Sequence, residues 1–294
     1  MQRYGRSRIN PNVPNVNTDW YNEILRPAPI QNHSLNVTGG GENASYSLGT
    51  NYFAQEGVLD MKNDYERFNL RSKLDYNVNE RLTVGGNMIF SNATKHLENG
   101  SAWHTAYYAI PIMPVYDEMN EAAWPDKYSS AQLLGYRDGK NPFPAMNYTE
   151  NQQKIRKLNA NFYAELDLIP EVLTFKTSYS NAFTSLIQRN IGLPYFISSG
   201  AQREESTINK TSSVWINQNW DNILTYTLKV NQHNLVTMLG TSYRDEAYEG
   251  LWQVVWVSLT SKDKHGTSVR LKPNRKAVSV MAASDNTDFL ILAV

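Results

Sequence analysis

The residues best suited to recognition chemistry gather between Asn92 and Lys154. There Trp103, His104, Tyr107, Tyr108, Tyr116, Trp124, Tyr128 and Tyr136 are interspersed with Asp117, Glu118, Asp126 and Asp138. Aromatic rings stack on the C–H faces of sugars, and carboxylates accept hydrogen bonds from sugar hydroxyls, so this mixture suits contact with a glycan. Trp103, Tyr107, Tyr108, Trp124 and Tyr128 are therefore the candidate substrate-binding residues. The competing reading is that the rings pack the stretch onto itself or onto a partner lid. Loops longer than ~15 residues tend to be functional or disordered, which makes this one worth testing.

No catalytic constellation accompanies these rings, and the chain is read as a non-enzyme that needs no cofactor. The five histidines, His33, His96, His104, His233 and His265, are scattered without ligand spacing, and His96 and His104 read as solvated loop residues. Gly39-Gly40-Gly41 has no helix and no Lys-Ser/Thr behind it, so it is a turn and not a phosphate loop. Asp60, Asn63 and Asp64 hint at a cation but do not meet the calcium-loop pattern. Asn43-Ala44-Ser45, Asn92-Ala93-Thr94 and Asn147-Tyr148-Thr149 are chance-prone glycosylation triplets.

What must position the loop is a set of strands. From Ala44 to Tyr52, the residues Ala44, Tyr46, Leu48, Thr50 and Tyr52 alternate with Ser45, Ser47, Gly49 and Asn51. From Arg67 to Tyr76, the residues Phe68, Leu70, Leu74 and Tyr76 alternate with Arg67, Asn69, Arg71, Lys73 and Asp75. A period of two with opposed faces is a β-strand with one apolar and one wet side. The same pattern marks His33–Val37, Arg81–Ser91, Lys157–Leu168, Val172–Ser180, Ser213–Lys229 and Asn234–Tyr243, about eight strands in all. Connections between them alternate short and long, and the long ones include Asn92–Lys154 and Asn181–Thr211. An up-and-down barrel puts all short turns at one end and all long loops at the other, as outer-membrane barrels do. The predicted fold is therefore all-β, antiparallel up-and-down strands from a transmembrane β-barrel (partial, about eight strands) with long extracellular loops; a soluble β-sandwich would also alternate, but its connections need not sort by length.

Composition agrees with that reading. The 294 residues carry 28 basic and 28 acidic side chains, a net charge of zero that points to no nucleic acid. There is no cysteine, so disulfides and thiolate metal sites are excluded. Mean hydropathy is −0.53 and no apolar run reaches the ~20 residues of a spanning helix. Strands that alternate average out as polar, so a membrane barrel is untouched by that exclusion.

Longer strings carry a resemblance. NTDWYNEILRPAPIQNHSLNVTGG, YFAQEGVL and YERFNLRSKLDYNV resemble the segment after the plug domain in SusC/RagA-type TonB-dependent outer-membrane transporters of Bacteroidetes. The matched positions include Asn17-Thr18-Asp19-Trp20, Gln55-Glu56-Gly57 and Arg67-Phe68-Asn69-Leu70-Arg71. Farther on, Asn222–Tyr226, His233-Asn234-Leu235 and Leu239–Tyr243 are similar as well. The resemblance implies an energised importer of glycans or peptides in the outer membrane. Its partners would be a SusD-like surface lipoprotein, a TonB complex engaged through segments absent here, the outer-membrane lipid, and an oligosaccharide or peptide ligand. The expected division is an irregular lead-in (1–30) after a missing plug, a partial barrel (31–252) and an atypical tail (253–294). No leader segment is legible in the first residues, and well over half of the expected barrel is absent, so the isolated chain is not expected to transport. A secreted or soluble β-rich carbohydrate-binding module is the alternative.

After Trp252 both the alternation and the resemblance fail. Phe289–Val294 can be encoded by a string that, read from its third base, gives Ser-Tyr-Phe-Gly-Arg, similar to a later barrel strand of the family. The tail is therefore expected to be out-of-frame translation after a shift near Trp252. The nucleotide sequence decides it: an extended family-like reading in another frame is expected downstream of the Trp252 codon, and its absence ends the idea.

Overall fold

The computed structural model describes residues 15–98, 101–136, 139–230, 233–257 and 278–293. A short helix, α1 (Trp20–Ile24), opens it, capped by Asp19, whose carboxylate accepts a hydrogen bond from the Asn22 amide at 3.2 Å. Four strands follow, β1 (Ile30–Gly40), β2 (Ala44–Glu56), β3 (Asp64–Asn77) and β4 (Leu82–His96). Two helices, α2 (Ser101–Tyr108) and α3 (Phe143–Asn147), lie in the connection to β5 (Thr149–Ile169) and β6 (Leu173–Gly192). A small hairpin of β7 (Tyr195–Ser198) and β8 (Ala201–Arg203) precedes β9 (Ser206–Val230), β10 (His233–Val257) and β11 (Val278–Ala293).

Nine strands form one sheet in the order β1-β2-β3-β4-β5-β6-β9-β10-β11, every neighbouring pair antiparallel. The eight strands expected from alternation are all present, and Val278–Ala293 adds the ninth beside β10. Residues 258–277 and 294, the remainder of the tail beyond β10 and β11, lie outside the described residues.

The register puts like with like. On one face, Phe162, Tyr179, Trp220 and Tyr243 are directly paired from β5 to β10, and Phe90, Leu158, Phe183 and Ile216 make a second row. These large apolar side chains are solvent-facing in the isolated sheet, Phe162 at 58% and Trp220 at 53%. The Trp220 indole donates to Thr177 Oγ1 at 2.9 Å, which satisfies its one polar hydrogen on an otherwise apolar surface. The opposite face is knitted by polar side chains. Asn51 donates to Asn32 Oδ1 at 2.6 Å and Ser34 Oγ at 2.8 Å, and accepts from Asn69 at 3.2 Å. Lys176 pairs with Glu165 at 3.0 Å and Lys73 with Asp75 at 2.7 Å. Arg67 lies over the rings of Phe53 and Tyr65, 5.8 and 6.0 Å from their centroids.

Strand lengths differ from the alternation-based expectation. They grow from 11 residues in β1 to 25 in β9 and β10, and β5 and β6 reach back into stretches that read as loop. The added residues, such as Asn151, Gln152, Gln153, Gln188 and Asn190, are polar on both faces and so show no hydrophobic period. Backbone pairing continues regardless, since ladder hydrogen bonds need only an aligned partner strand. About ten tilted residues span an apolar band roughly 25 Å tall, so more than half of β9 and β10 projects past it.

One cross-strand device ties three strands together. Tyr163 of β5 reaches over β4 to donate its hydroxyl to Asp75 Oδ1 of β3 at 2.7 Å. The intervening residue is Gly85, where a Cβ would sit 2.6 Å from the Tyr163 ring. Tyr163→Phe should cost about 1 kcal/mol and Gly85→Leu clearly more, because the first loses a hydrogen bond and the second displaces the ring. Urea titration of the refolded chain in detergent micelles checks both; equal midpoints for Gly85→Leu and the parent sequence would contradict the account.

Candidate functional site

The long connection is not a loose excursion. Residues 97–98, 101–136 and 139–148, α1 and the loop 57–63 fold together at the long-connection end of the wall, around a core of Trp20, Ile24, Leu59, Ala102, Ala106, Met113, Leu134 and Met146. The segment before β1 straps this assembly down. The Thr18 amide and hydroxyl donate to the carbonyls of Pro111 (2.7 Å) and Met113 (2.8 Å), and the Trp20 indole donates to Ile110 O at 3.0 Å. Arg26 donates to Gly57 O and Met61 O and lies 3.6 Å from Glu56 and 3.9 Å from Asp60.

A second core holds Ala123, Tyr128, Tyr148 and Ile197. Here one candidate is corrected: Tyr128 is 1% exposed, stacked between Tyr116 (5.0 Å) and Phe143 (6.0 Å), so its ring cannot meet a ligand. Its hydroxyl accepts from Asn147 at 2.5 Å, and Tyr148 donates to Asp126 at 2.5 Å. Burial pushes both phenols up, and for Tyr148 the Asp126 carboxylate adds to the effect, so each stays a neutral hydrogen-bonding group at any ordinary pH. Arg203 closes the hairpin side, donating to Tyr148 O at 2.7 Å and Leu193 O at 3.1 Å with Tyr195 stacked 5.6 Å from it.

The other candidates divide. Tyr107 (69% exposed) and Tyr108 (60%) stand out from α2 in an edge-to-face pair 5.0 Å apart, with His104 4.7 Å from Tyr108. Trp103 is half-buried against the first core, its ring 6.4 Å from that of Tyr21. Trp124 is half-exposed where its backbone bridges to Phe196, on the far side of the assembly's second core. The structure thus brings His104, Tyr107 and Tyr108 onto one helix face with Trp103 and Tyr21 adjoining, and leaves Trp124 elsewhere. A cleft of about 280 Å³ runs between this assembly and the β7–β8 hairpin, lined by Ser129, Lys140, Asn141, Tyr195, Gln202 and Arg203 among others.

The reading of His96 is also corrected. His96 ends β4, nearly buried, with Nδ1 2.7 Å from Asp64 Oδ1 and Nε2 2.9 Å from the Gln152 amide. It is a structural residue of the wall and not a solvated loop histidine. Beside it, Asp60 lies 3.9 Å from Arg26, and the Asn63 amide is turned to donate to the carbonyls of Leu59 and Met61. Among the described residues no group of His, Asp and Glu is arranged to hold a metal.

One feature escaped the sequence reading. On the polar face, where Asn217 and Asn219 sit, Trp215 of β9 faces Tyr248 of β10. The signal was their parity, two large rings at positions whose strand neighbours on the same face are amides and hydroxyls.

Similarity to known proteins agrees with this architecture. No family model matches the chain. It is 26% identical over 273 residues to the TonB-dependent receptor P3 of Formosa agariphila, covering 88% of this chain and 26% of that protein. A shorter stretch, 110 residues at 26% identity, matches the TonB-dependent receptor SusC of Bacteroides thetaiotaomicron, 34% of this chain and 10% of that one. In fold it is similar to the RagAB peptide transporter, with a TM-score of 0.64 and 19% identity over 98% of this chain and 32% of that one. The open-open state of the RagAB peptide importer gives 0.65 and 18% over 94% and 30%. The chain is thus similar in sequence to part of TonB-dependent receptors and in fold to part of the RagAB transporter. The chain spans about a quarter of the length of the TonB-dependent receptors P3 and P26 of Formosa agariphila.

The division between buried and exposed rings sets a prediction. Tyr128→Ala should cost the outer assembly about 3–5 kcal/mol, as large-to-small changes of buried aromatics do, and Tyr107→Ala close to nothing. Limited proteolysis of residues 97–148 reads it: rapid cleavage is expected for the first variant and parent-like resistance for the second.

Proposed function

We propose that this chain is a wall sector of an energised outer-membrane importer that carries glycans or peptides inward with a SusD-like surface lipoprotein and a TonB complex. The observation that carries the reading is the two-faced sheet with sorted connections. Short turns at 41–43, 78–81 and 170–172 lie at one end, and the folded assembly between β4 and β5 and the 193–205 connection lie at the other. An apolar face with aromatic rows such as Phe162–Tyr179–Trp220–Tyr243 is what hydrocarbon requires, whereas a soluble module would leave that surface to aggregate. The amide-rich opposite face, with Asn87, Asn159, Asn161, Asn217 and Asn219 around a concavity of about 420 Å³, suits a wet interior.

The relatives' names support the class, and the RagAB likeness supports a paired surface lipoprotein. The strands from β1 to β11 make the wall, with residues 15–29 leading into β1. Alone, the sector leaves both sheet edges unpaired and does not transport. His104, Tyr107 and Tyr108, with Trp103, form the outward aromatic shelf that meets ligand or lid, and Trp124 marks a separate contact.

Two measurements test this. The intact receptor, expressed with the lipoprotein encoded beside it, should support TonB-dependent uptake, and this chain reconstituted in liposomes should not; uptake by the isolated chain overturns the sector reading. Trp103→Ala and Trp124→Ala in the intact receptor should each weaken ligand or lid binding severalfold, and unchanged affinity in both removes the shelf and Trp124 from the proposal.

A further inference from the structure

The paired rings of β9 and β10 are not accounted for by packing alone. Trp215 and Tyr248 stand directly opposite one another on the polar face, centroids 5.3 Å apart and planes inclined by 39°. Two residues beyond Tyr248 on the same face is Gly250, opposite Ser213. A Cβ at Gly250 would fall 2.5 Å from the Tyr248 hydroxyl, so the bare backbone there lets the phenol lie down along its own strand, with Ser213 Oγ 3.5 Å away. Trp252, the next residue on that face, is 43% exposed and pairs with Thr211. Three rings therefore line one stretch of β10 and its partner, toward the end of the wall that carries the long connections.

Their surroundings define the ligand. Thr184 of β6 lies beside Trp215, and Gln188 beside Thr211. Gln188 accepts from Gln153 at 3.2 Å and donates to Asn151 at 3.4 Å, extending an amide ladder away from the rings. Amides and hydroxyls both donate and accept, as sugar hydroxyls do, and ring faces take the C–H side of a pyranose. On β10 the charges of this face, Arg244 and Glu246, are paired with each other, and Lys157 of β5 lies one strand beyond Thr184 in line with Trp215.

We infer that Trp215, Tyr248 and Trp252 form a stacking platform for a neutral oligosaccharide on the inner wall, separate from the outward aromatic shelf. The inference rests on the importer reading, since it takes the polar face as a path for substrate. Gly250 acts as a positioning residue for the Tyr248 ring.

The test uses the intact receptor purified in detergent and titrated calorimetrically with maltohexaose, cellohexaose and an uncharged Ser/Ala/Asn hexapeptide with blocked ends. One hexasaccharide is expected to bind, with affinity falling at least tenfold in the Trp215→Ala/Trp252→Ala double variant and severalfold in Gly250→Val, which displaces Tyr248 without removing a ring. Trp215→Phe keeps a ring and should retain most of the affinity, which separates loss of the platform from loss of the fold. The inference is overturned if neither sugar binds, if the double variant binds as the parent does, or if the peptide is the ligand whose binding disappears. TonB-dependent uptake by cells that express the same receptor variants is followed in parallel. Uptake that persists while the platform variants bind normally removes only the platform; absence of uptake in the parent receptor removes the importer reading instead.

Discussion

Everything in this molecule depends on the lateral backbone ladder. A strand that faces hydrocarbon has no water to receive its amides and carbonyls, so each must be satisfied by the next strand. The unbroken antiparallel order from β1 to β11, with one register shift in β5–β6 at Asp167/Ile169, meets that demand across the interior of the sheet. It leaves β1 and β11 with one unpaired edge each. The side chains then have only to choose sides, and a period of two is sufficient for that. Rings and aliphatics go to the face that cannot hydrogen-bond, and amides and ion pairs go to the other.

Much of the wall was legible because this constraint writes itself into alternation. The split of Phe68, Leu70 and Leu74 from Asn69, Arg71 and Lys73, and of Leu158, Ala160 and Phe162 from Asn159, Asn161 and Tyr163, located the strands and their faces correctly. The extensions were illegible for the same reason. Gln152, Gln153, Gln188 and Asn190 lie where both faces are wet, so nothing in their side chains records that the backbone is still paired.

The outer assembly shows a different limit. Its aromatic residues were conspicuous, but ring identity does not distinguish a contact surface from a core. Tyr128 and Tyr107 are equally prominent in the sequence and end at opposite extremes of burial, decided by Phe143, Tyr116 and Asn147, distant neighbours that only the fold brings near. His96 was misread for a related reason, because its partners Asp64 and Gln152 belong to other strands. The Trp215–Tyr248 pair was passed over since aromatic residues in a strand are ordinarily credited to its apolar side, and only register assigns these to the wet one.

The strap before β1 has a mechanical consequence. Thr18, Trp20 and Arg26 fasten the chain to Pro111, Met113, Ile110, Gly57 and Met61 before it enters the sheet. Those bonds stand in series between the upstream polypeptide and the first strand. A force drawn along the chain from upstream of Thr18 therefore loads the outer assembly before it reaches β1. That assembly is held by a handful of hydrogen bonds and a small core, whereas the β1–β2 pair is held by eleven residues in register. The wall is thus mechanically fused: the outer assembly yields first and the ladder behind it keeps its register.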